Sequence, residues 1–215
     1  MPAMRQTELD GFLAPHGKLP IKVSSKSARL RFHGCTPEYI RDVCHAKCCN
    51  PSIKKGALVA VRPSEEEAIR ARGVAVRDHR IVVDPGQLCP FKTEEHLCGL
   101  HGTPDKPKGC ILSPFYLNGN GTLVIRNYYK LLVCYGQEPL LPAYVAFRAS
   151  LDMLLGPEEA ARVCTHLDSD GGDIISFVDV ELYESFSVVE QVKKERIHGK
   201  KPSALATEGL ALAAR

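Results

Sequence analysis

Tryptophan is absent from this 215-residue chain, and aromatic residues together make up only 7% of it. Single-stranded nucleic acid is usually gripped by aromatic stacking, so that class of function is poorly supplied. Excess charge is also lacking, because 28 Lys and Arg against 25 Asp and Glu leave a net +3. No long basic stripe precedes residue 193, so no phosphate backbone is indicated as a partner. No apolar run reaches the roughly 18 residues that suggest a membrane span. The opening MPAMRQTELDGFLAPHGK has no apolar centre of the kind a secretory signal carries. These absences predict a cytoplasmic protein with no nucleic-acid and no membrane partner. They name no particular protein or small-molecule partner and no oligomeric state.

Cysteine is abundant instead: nine residues, at 35, 44, 48, 49, 89, 98, 110, 134 and 164. Cytosolic thiols are normally kept reduced, and an odd count cannot be fully paired as disulfides. A chain of this length can build an ordinary core without staples. Clustered thiols in such a chain point to metal binding or redox work.

The local signals give an outline. LPIKV (19–23), SARLRFHG (27–34), ALVAVRP (57–63) and RIVVDP (80–85) read as strands. Thr36, Pro37 and Glu38 form a helix start, with a capping hydroxyl, proline at the first position and an acid near the positive dipole end. That helix is expected to run to Asn50-Pro51, since proline disfavours helical geometry in the residue before it. SEEEAIRARG (64–73) reads as a second helix capped by Ser64 and closed by Gly73. Residues 86–122 are rich in Gly, Pro and Cys and read as irregular. A stretch of that length in a compact domain is usually functional. TLVIRNYYKLLVC (122–134) reads as a strand running on into a helix. Helices follow at 140–155, 157–167 and 178–197, the last ending in a basic run from Lys193 to Lys201 that reads as a solvated helix end. The whole is predicted to be α+β: an N-terminal extension (1–29), a small irregular cysteine-rich metal-binding domain (30–137), a helical C-terminal region (138–200) and a flexible tail (201–215).

Within the expected helix, Cys44 and Cys48 are four residues apart and share a face, while Cys49 is turned about 100° away. Vicinal helical cysteines suit different atoms of one cluster, or two centres, better than one metal atom. Cys35 precedes the helix, where the dipole favours a thiolate. Eight thiols lie outside the C-terminal helices. They suffice for two four-thiolate sites, or for one cluster plus structural thiols. Thiolates suit zinc, iron–sulfur clusters and Cu(I). Structural zinc usually shows paired short C-x2–4-C knuckles, and only Cys44-x3-Cys48 fits. The dispersed remainder is compatible with iron–sulfur ligation. Cys164, inside an Ala-rich helix, reads as a buried space-filler.

The ordered series Cys44-x3-Cys48-Cys49, Cys89-Pro-Phe, Cys98-Gly-Leu-His, Lys106-Pro107, Cys110-x3-Pro114 and Cys134-Tyr-Gly resembles the YkgJ-type cysteine-cluster family, whose domain is described as zinc- or iron-chelating. The resemblance covers about residues 30–136. It implies that Cys44, Cys48, Cys49, Cys89, Cys98, Cys110 and Cys134 are metal ligands. Cys35 lies nine positions ahead of Cys44, further than the family pattern has it, and is carried as an additional candidate. His101 and Lys106 stand where the family often has Tyr and Arg. A larger relative, the flagellin lysine methylase, joins a similar cysteine region to methyl transfer from S-adenosylmethionine. This chain has no glycine-rich nucleotide loop to match that activity. The expected function is a metal-cluster protein binding iron–sulfur, or zinc, in redox or cluster-dependent chemistry. The alternative is a zinc-binding structural or interaction module without catalysis.

Two further features carry possible site residues. LDSDGGDIISFVD (167–179) resembles an EF-hand loop, with Asp168, Asp170 and Asp179 as calcium ligands, but Gly172 and Asp173 are exchanged relative to that pattern, and a polar turn between two helices explains the same letters. His33, His45, His96 and His101 lie near cysteines in sequence and read as surface or supporting groups. No catalytic residue is identified.

Overall fold

The computed structural model describes residues 17–49, 57–84 and 87–179. Its architecture is α+β. A four-stranded sheet forms its centre, built from β1 (Lys18–Val23), β6 (Phe115–Leu117), β7 (Thr122–Ile125) and β9 (Ile174–Asp179) in the order β6-β7-β1-β9. β1 runs parallel to β7 and antiparallel to β9, with Lys18 opposite Asp179 and Val23 opposite Ile174. The segment expected to be an N-terminal extension thus supplies a central strand. One sheet draws strands from all three of the segments expected at 1–29, 30–137 and 138–200.

IISFVD falls within the stretch that resembles a calcium loop or a polar turn, and its last two residues begin an expected helix. Its alternation buries Ser176 and Val178 and makes it strand β9 instead. Residues 180–197 of the expected last helix, its basic run and the tail from 201 lie outside the described residues.

Helices cover the sheet. Pro142 precedes a short α5 (Ala143–Ala146), α6 follows (Arg148–Leu155), and Gly156, at φ 85°, turns the chain into α7 (Pro157–Asp168). Gly156-Pro157 is the expected break, with proline at the first helical position. Leu151, Leu154, Leu155, Val163 and Leu167 face Ile21, Leu123 and Phe115 of the sheet in one large core.

A smaller core lies apart. It holds β3 (Ala57–Ala60), α3 (Pro63–Ala71), β4 (Val76–Arg77) and β5 (Arg80–Val82), the strands in the order β3-β5-β4. Val61, Ile69, Val74, Val76, Ile81 and Leu100 fill it, and Phe91 and Cys98 pack on its edge. The cap of α3 is Arg62 rather than Ser64: proline occupies the first helical position, and the Glu65 carboxylate accepts from the Arg62 backbone N–H at 2.9 Å.

Two elements depart from the sequence reading beside the cysteines. Residues 27–34 are not one strand. The Ser24 hydroxyl accepts from the Ser27 N–H and nucleates a single turn, α1 (Ser25–Ala28), leaving β2 (Arg31–Phe32) short. β2 pairs antiparallel with β8 (Leu141–Pro142). Residues 127–131 form a 3-10 turn after β7, where a longer helix was expected. Among the described residues no helix is long and apolar enough to cross a membrane.

Candidate metal centre

The helix that should carry CHAKCC begins as expected and then comes apart. Thr36 caps α2 (Pro37–Tyr39), its hydroxyl accepting from the Tyr39 N–H at 3.2 Å. The chain then widens into a π turn (Ile40–Cys44), closed by the His45 N–H on the Ile40 carbonyl, five residues back, at 2.7 Å. His45 and Ala46 both take left-handed geometry, at φ 50° and 46°. Such a conformation costs roughly 1–2 kcal/mol for each non-glycine residue and is rarely used twice in succession. The Lys92 ammonium donates to the His45 carbonyl at 2.6 Å, satisfying an acceptor that the ending helix leaves open. A 3-10 turn then carries Lys47–Cys49.

The consequence corrects the single-helix expectation. Cys44 is not on a common face with Cys48; it turns into the large core, while Cys48 is exposed and Cys49 half-buried. The Cys48 and Cys49 sulfurs are 3.9 Å apart.

Cys35 and Cys134 meet from opposite ends of the cysteine region. The His33 N–H donates to the Cys134 carbonyl at 2.8 Å, and Phe32 bridges to Tyr135. Cys134 is buried in the large core beside Cys44 and Tyr39. Burial and then Cys44 push its thiol up. Cys35 is pushed up to about 12, first by desolvation and then by Cys134, Cys44 and Cys49. The Cys35 residue is exposed, while protein mass crowds its thiol.

The remaining thiols come from the irregular stretch. Lys92 bridges to Cys98, and the Gly99 N–H donates to Phe91 O at 2.7 Å, making a tight knuckle between Cys89 and Cys98. Cys110 sits in α4 (Lys108–Leu112), whose first N–H is taken by the Glu65 carboxylate at 2.9 Å. Burial, then Cys49, Cys89 and Cys98, push the Cys110 thiol up to about 12. Burial also raises Cys89, opposed by a hydrogen bond from the Phe91 backbone. Cys49 is raised first by its hydrogen bond with Cys48 and then by burial, while Lys106 and Lys92 pull it down.

Eight of the nine cysteines therefore have at least one other thiol as an electrostatic neighbour. Cys35, Cys44 and Cys134 form one group; Cys49, Cys89, Cys98 and Cys110 form another; Cys49 borders both, with Cys48 beside it. Cys164 lies away from them on α7, with its sulfur 4.0 Å from the Tyr144 carbonyl. The donor chemistry fits a thiophilic metal. Among the described residues, however, no three His, Cys, Asp or Glu side chains are drawn into a ready coordination sphere. Binding would require proton release from the raised thiols and a small inward movement of the sulfurs.

Two tyrosines that the sequence reading did not single out flank the groups. Tyr39 stacks on His33, ring centroids 3.6 Å apart at 11°, and its buried hydroxyl has no hydrogen-bond partner among the described residues. The Tyr129 hydroxyl lies 2.5 Å from Ser113 Oγ, near Cys48 and Cys49. The signal for Tyr39 was its place one turn after Thr36, where a helix aromatic faces the core. Among the histidines, His45 and His96 stand with ring centroids 4.5 Å apart, and His101 Nδ1 is 3.2 Å from Lys106 Nζ.

The acids of the EF-hand-like stretch go to separate partners. Asp168 accepts from Tyr144 at 2.5 Å, Asp173 from the Ser25 N–H and hydroxyl at 2.9 and 3.0 Å, and Asp170 lies 3.9 Å from Arg29. Asp179 stands on β9 opposite Lys18. A strand follows the loop where an EF-hand needs a helix, so Asp168, Asp170 and Asp179 do not assemble as calcium ligands. Comparisons with family models, curated proteins and solved structures gave no significant match.

Proposed function

We propose that this chain is a metal-binding protein whose thiolates hold an iron–sulfur cluster, with zinc as the second metal of the same donor class. The observation that carries the reading is convergence. Thiols spread from residue 35 to residue 134 lie close enough to hold back one another's ionisation, Cys35 beside Cys134, Cys44 and Cys49, and Cys110 beside Cys49, Cys89 and Cys98, whereas no other cysteine bears on Cys164. Packing gives no reason for this, since apolar side chains would fill the space without the mutual crowding that makes these thiols hard to ionise. A bound cation reverses that cost by stabilising the thiolates. Lys92 and Lys106 face the same thiols and offset negative charge gathered there. The resemblance to the YkgJ-type series supports the same ligands.

The test is a substitution series on anaerobically purified protein. Cys49→Ser and Cys110→Ser should each lose bound metal, and Cys164→Ser should retain it in full. Equal loss in Cys164→Ser would show that metal content follows folding rather than ligation.

A further inference from the structure

We propose that Cys48 and Cys49 form a reversible dithiol–disulfide site, oxidised by a peroxide and restored by a small thiol. This goes beyond the metal reading and does not rest on it, because it needs these two sulfurs alone.

The chain brings the two sulfurs together. They lie 3.9 Å apart, within hydrogen-bonding reach for sulfur, and no covalent bond joins them. Adjacent side chains on a regular helix diverge by about 100°, so the pairing comes from the broken helix. The left-handed His45 and Ala46 end the π turn, and the Cys49 N–H closes the 3-10 turn on the Ala46 carbonyl at 2.9 Å. Two contacts from distant parts of the chain hold that turn. The Lys92 ammonium donates to the His45 carbonyl at 2.6 Å, and the Tyr128 hydroxyl donates to the Lys47 carbonyl at 2.9 Å.

The two thiols differ in access, and that assigns their roles. Cys48 is exposed and meets dissolved oxidant first; Cys49 is half-buried beside it. An accessible thiol next to a second one is the arrangement in which oxidation stops at a disulfide. The Cys48 sulfur attacks one peroxide oxygen. The O–O bond breaks, the sulfur becomes a sulfenic acid, and the other oxygen leaves as water with the thiol proton. The Cys49 sulfur then attacks the Cys48 sulfur. The S–S bond forms, the S–O bond breaks, and the departing hydroxide takes the Cys49 proton as a second water. Two thiols have lost two electrons, and one peroxide has gained them. Adjacency makes the product easy to reverse. Consecutive Cα atoms are about 3.8 Å apart, shorter than the roughly 4.4–6.8 Å that a relaxed disulfide spans. A strained, exposed disulfide is of the labile kind that small thiols reduce.

The experiment uses the full chain, freed of metal by a chelator and fully reduced, then treated with one equivalent of hydrogen peroxide and alkylated. Trypsin cuts after Lys47 and Lys54, so the peptide CCNPSIK carries both cysteines and no other. Mass spectrometry should find most of that peptide unalkylated and lighter by two hydrogens. Free thiols should fall from the nine of the reduced chain to seven, and dithiothreitol should restore all of them. Cys49→Ser should leave Cys48 as a sulfenic acid that dimedone captures, and Cys48→Ser should leave Cys49 a free thiol. Circular dichroism checks that each variant is folded, and the wild-type peptide reads the result without any variant. A 48–54 peptide that stays a dithiol while other cysteines oxidise, or that is joined to another cysteine's peptide, would overturn the proposal. A pair that closes and resists dithiothreitol would overturn its reversibility. A sulfenic acid on Cys49 in Cys48→Ser, with none on Cys48 in Cys49→Ser, would overturn the assigned roles. Metal content is read separately by the substitution series above, so the two readings fail independently.

Discussion

Replacing Phe32 with alanine tests whether the packing beneath the cysteines positions them. Phe32 is completely buried on β2, one strand pair from β8 and three residues from Cys35. Its ring packs edge-on to Phe147 at 5.2 Å and tilted on Tyr135 at 5.3 Å. Phe→Ala in a core costs about 3–5 kcal/mol. Each aromatic pair contributes about 0.5–1.5 kcal/mol beyond burial. Phe32→Leu keeps most of the volume and loses both pairs, so its cost should be about 1–3 kcal/mol. The assay is urea denaturation of the metal-free, reduced protein, followed by metal loading of each variant under conditions where it remains folded. Phe32→Ala should also loosen the bridge to Tyr135 and hold less metal at the Cys134 side. A cost below about 1 kcal/mol, with metal loading unchanged, would refute the idea that this aromatic seat aligns Cys35 with Cys134.

Three further outcomes follow from the same structure. Burial and thiol neighbours raise Cys110 from an ordinary 9.0 to about 12, so the folded chain keeps a proton that the unfolded chain releases. Its contribution to metal-free stability is full below about pH 9 and declines by up to about 4 kcal/mol as pH rises to about 12; urea midpoints across this range check it. Burial pushes the Glu159 carboxyl up, but hydrogen bonds from Arg162 and the fully buried Ser176 outweigh it and hold it below its usual value. That stabilisation is present above the unfolded value and is lost as pH falls through the folded one, so Glu159→Gln should lower stability by about 1–3 kcal/mol at neutral pH and flatten the acid limb of the stability curve. A Cβ at Gly171 would come within 2.3 Å of the half-exposed His166 ring, which can swing away, so Gly171→Ala should break the 3.0 Å contact of that ring with the Gly172 carbonyl and cost under about 1 kcal/mol in urea unfolding.

Local rules made part of the fold legible. Thr36-Pro37 starts its helix, Gly73 closes another, Gly156-Pro157 divides a pair, and LPIKV is a strand. The failures share a physical cause. SARLRFHG looked extended because its apolar residues alternate, but Ser24 offered a local cap that won a turn first. CHAKCC looked helical because nothing before Pro51 forbids a helix. Two left-handed residues, His45 and Ala46, carry no glycine signature and break it, held in part by Lys92 from 47 positions away. β9 was missed because its acids resembled a calcium loop, and its partner β1 lies about 150 residues earlier. The cysteines were legible as a set and their grouping was not. Grouping depends on which core each loop packs against, and spacing contains no record of that.

The central claim is that the converging thiols hold metal. It is tested most directly by metal and acid-labile sulfide analysis of full-length protein purified without oxygen. Iron accompanied by a comparable amount of sulfide is the expected result, and zinc without sulfide would select the second metal. Protein that contains neither, and acquires neither on reconstitution under reducing conditions, would contradict the account.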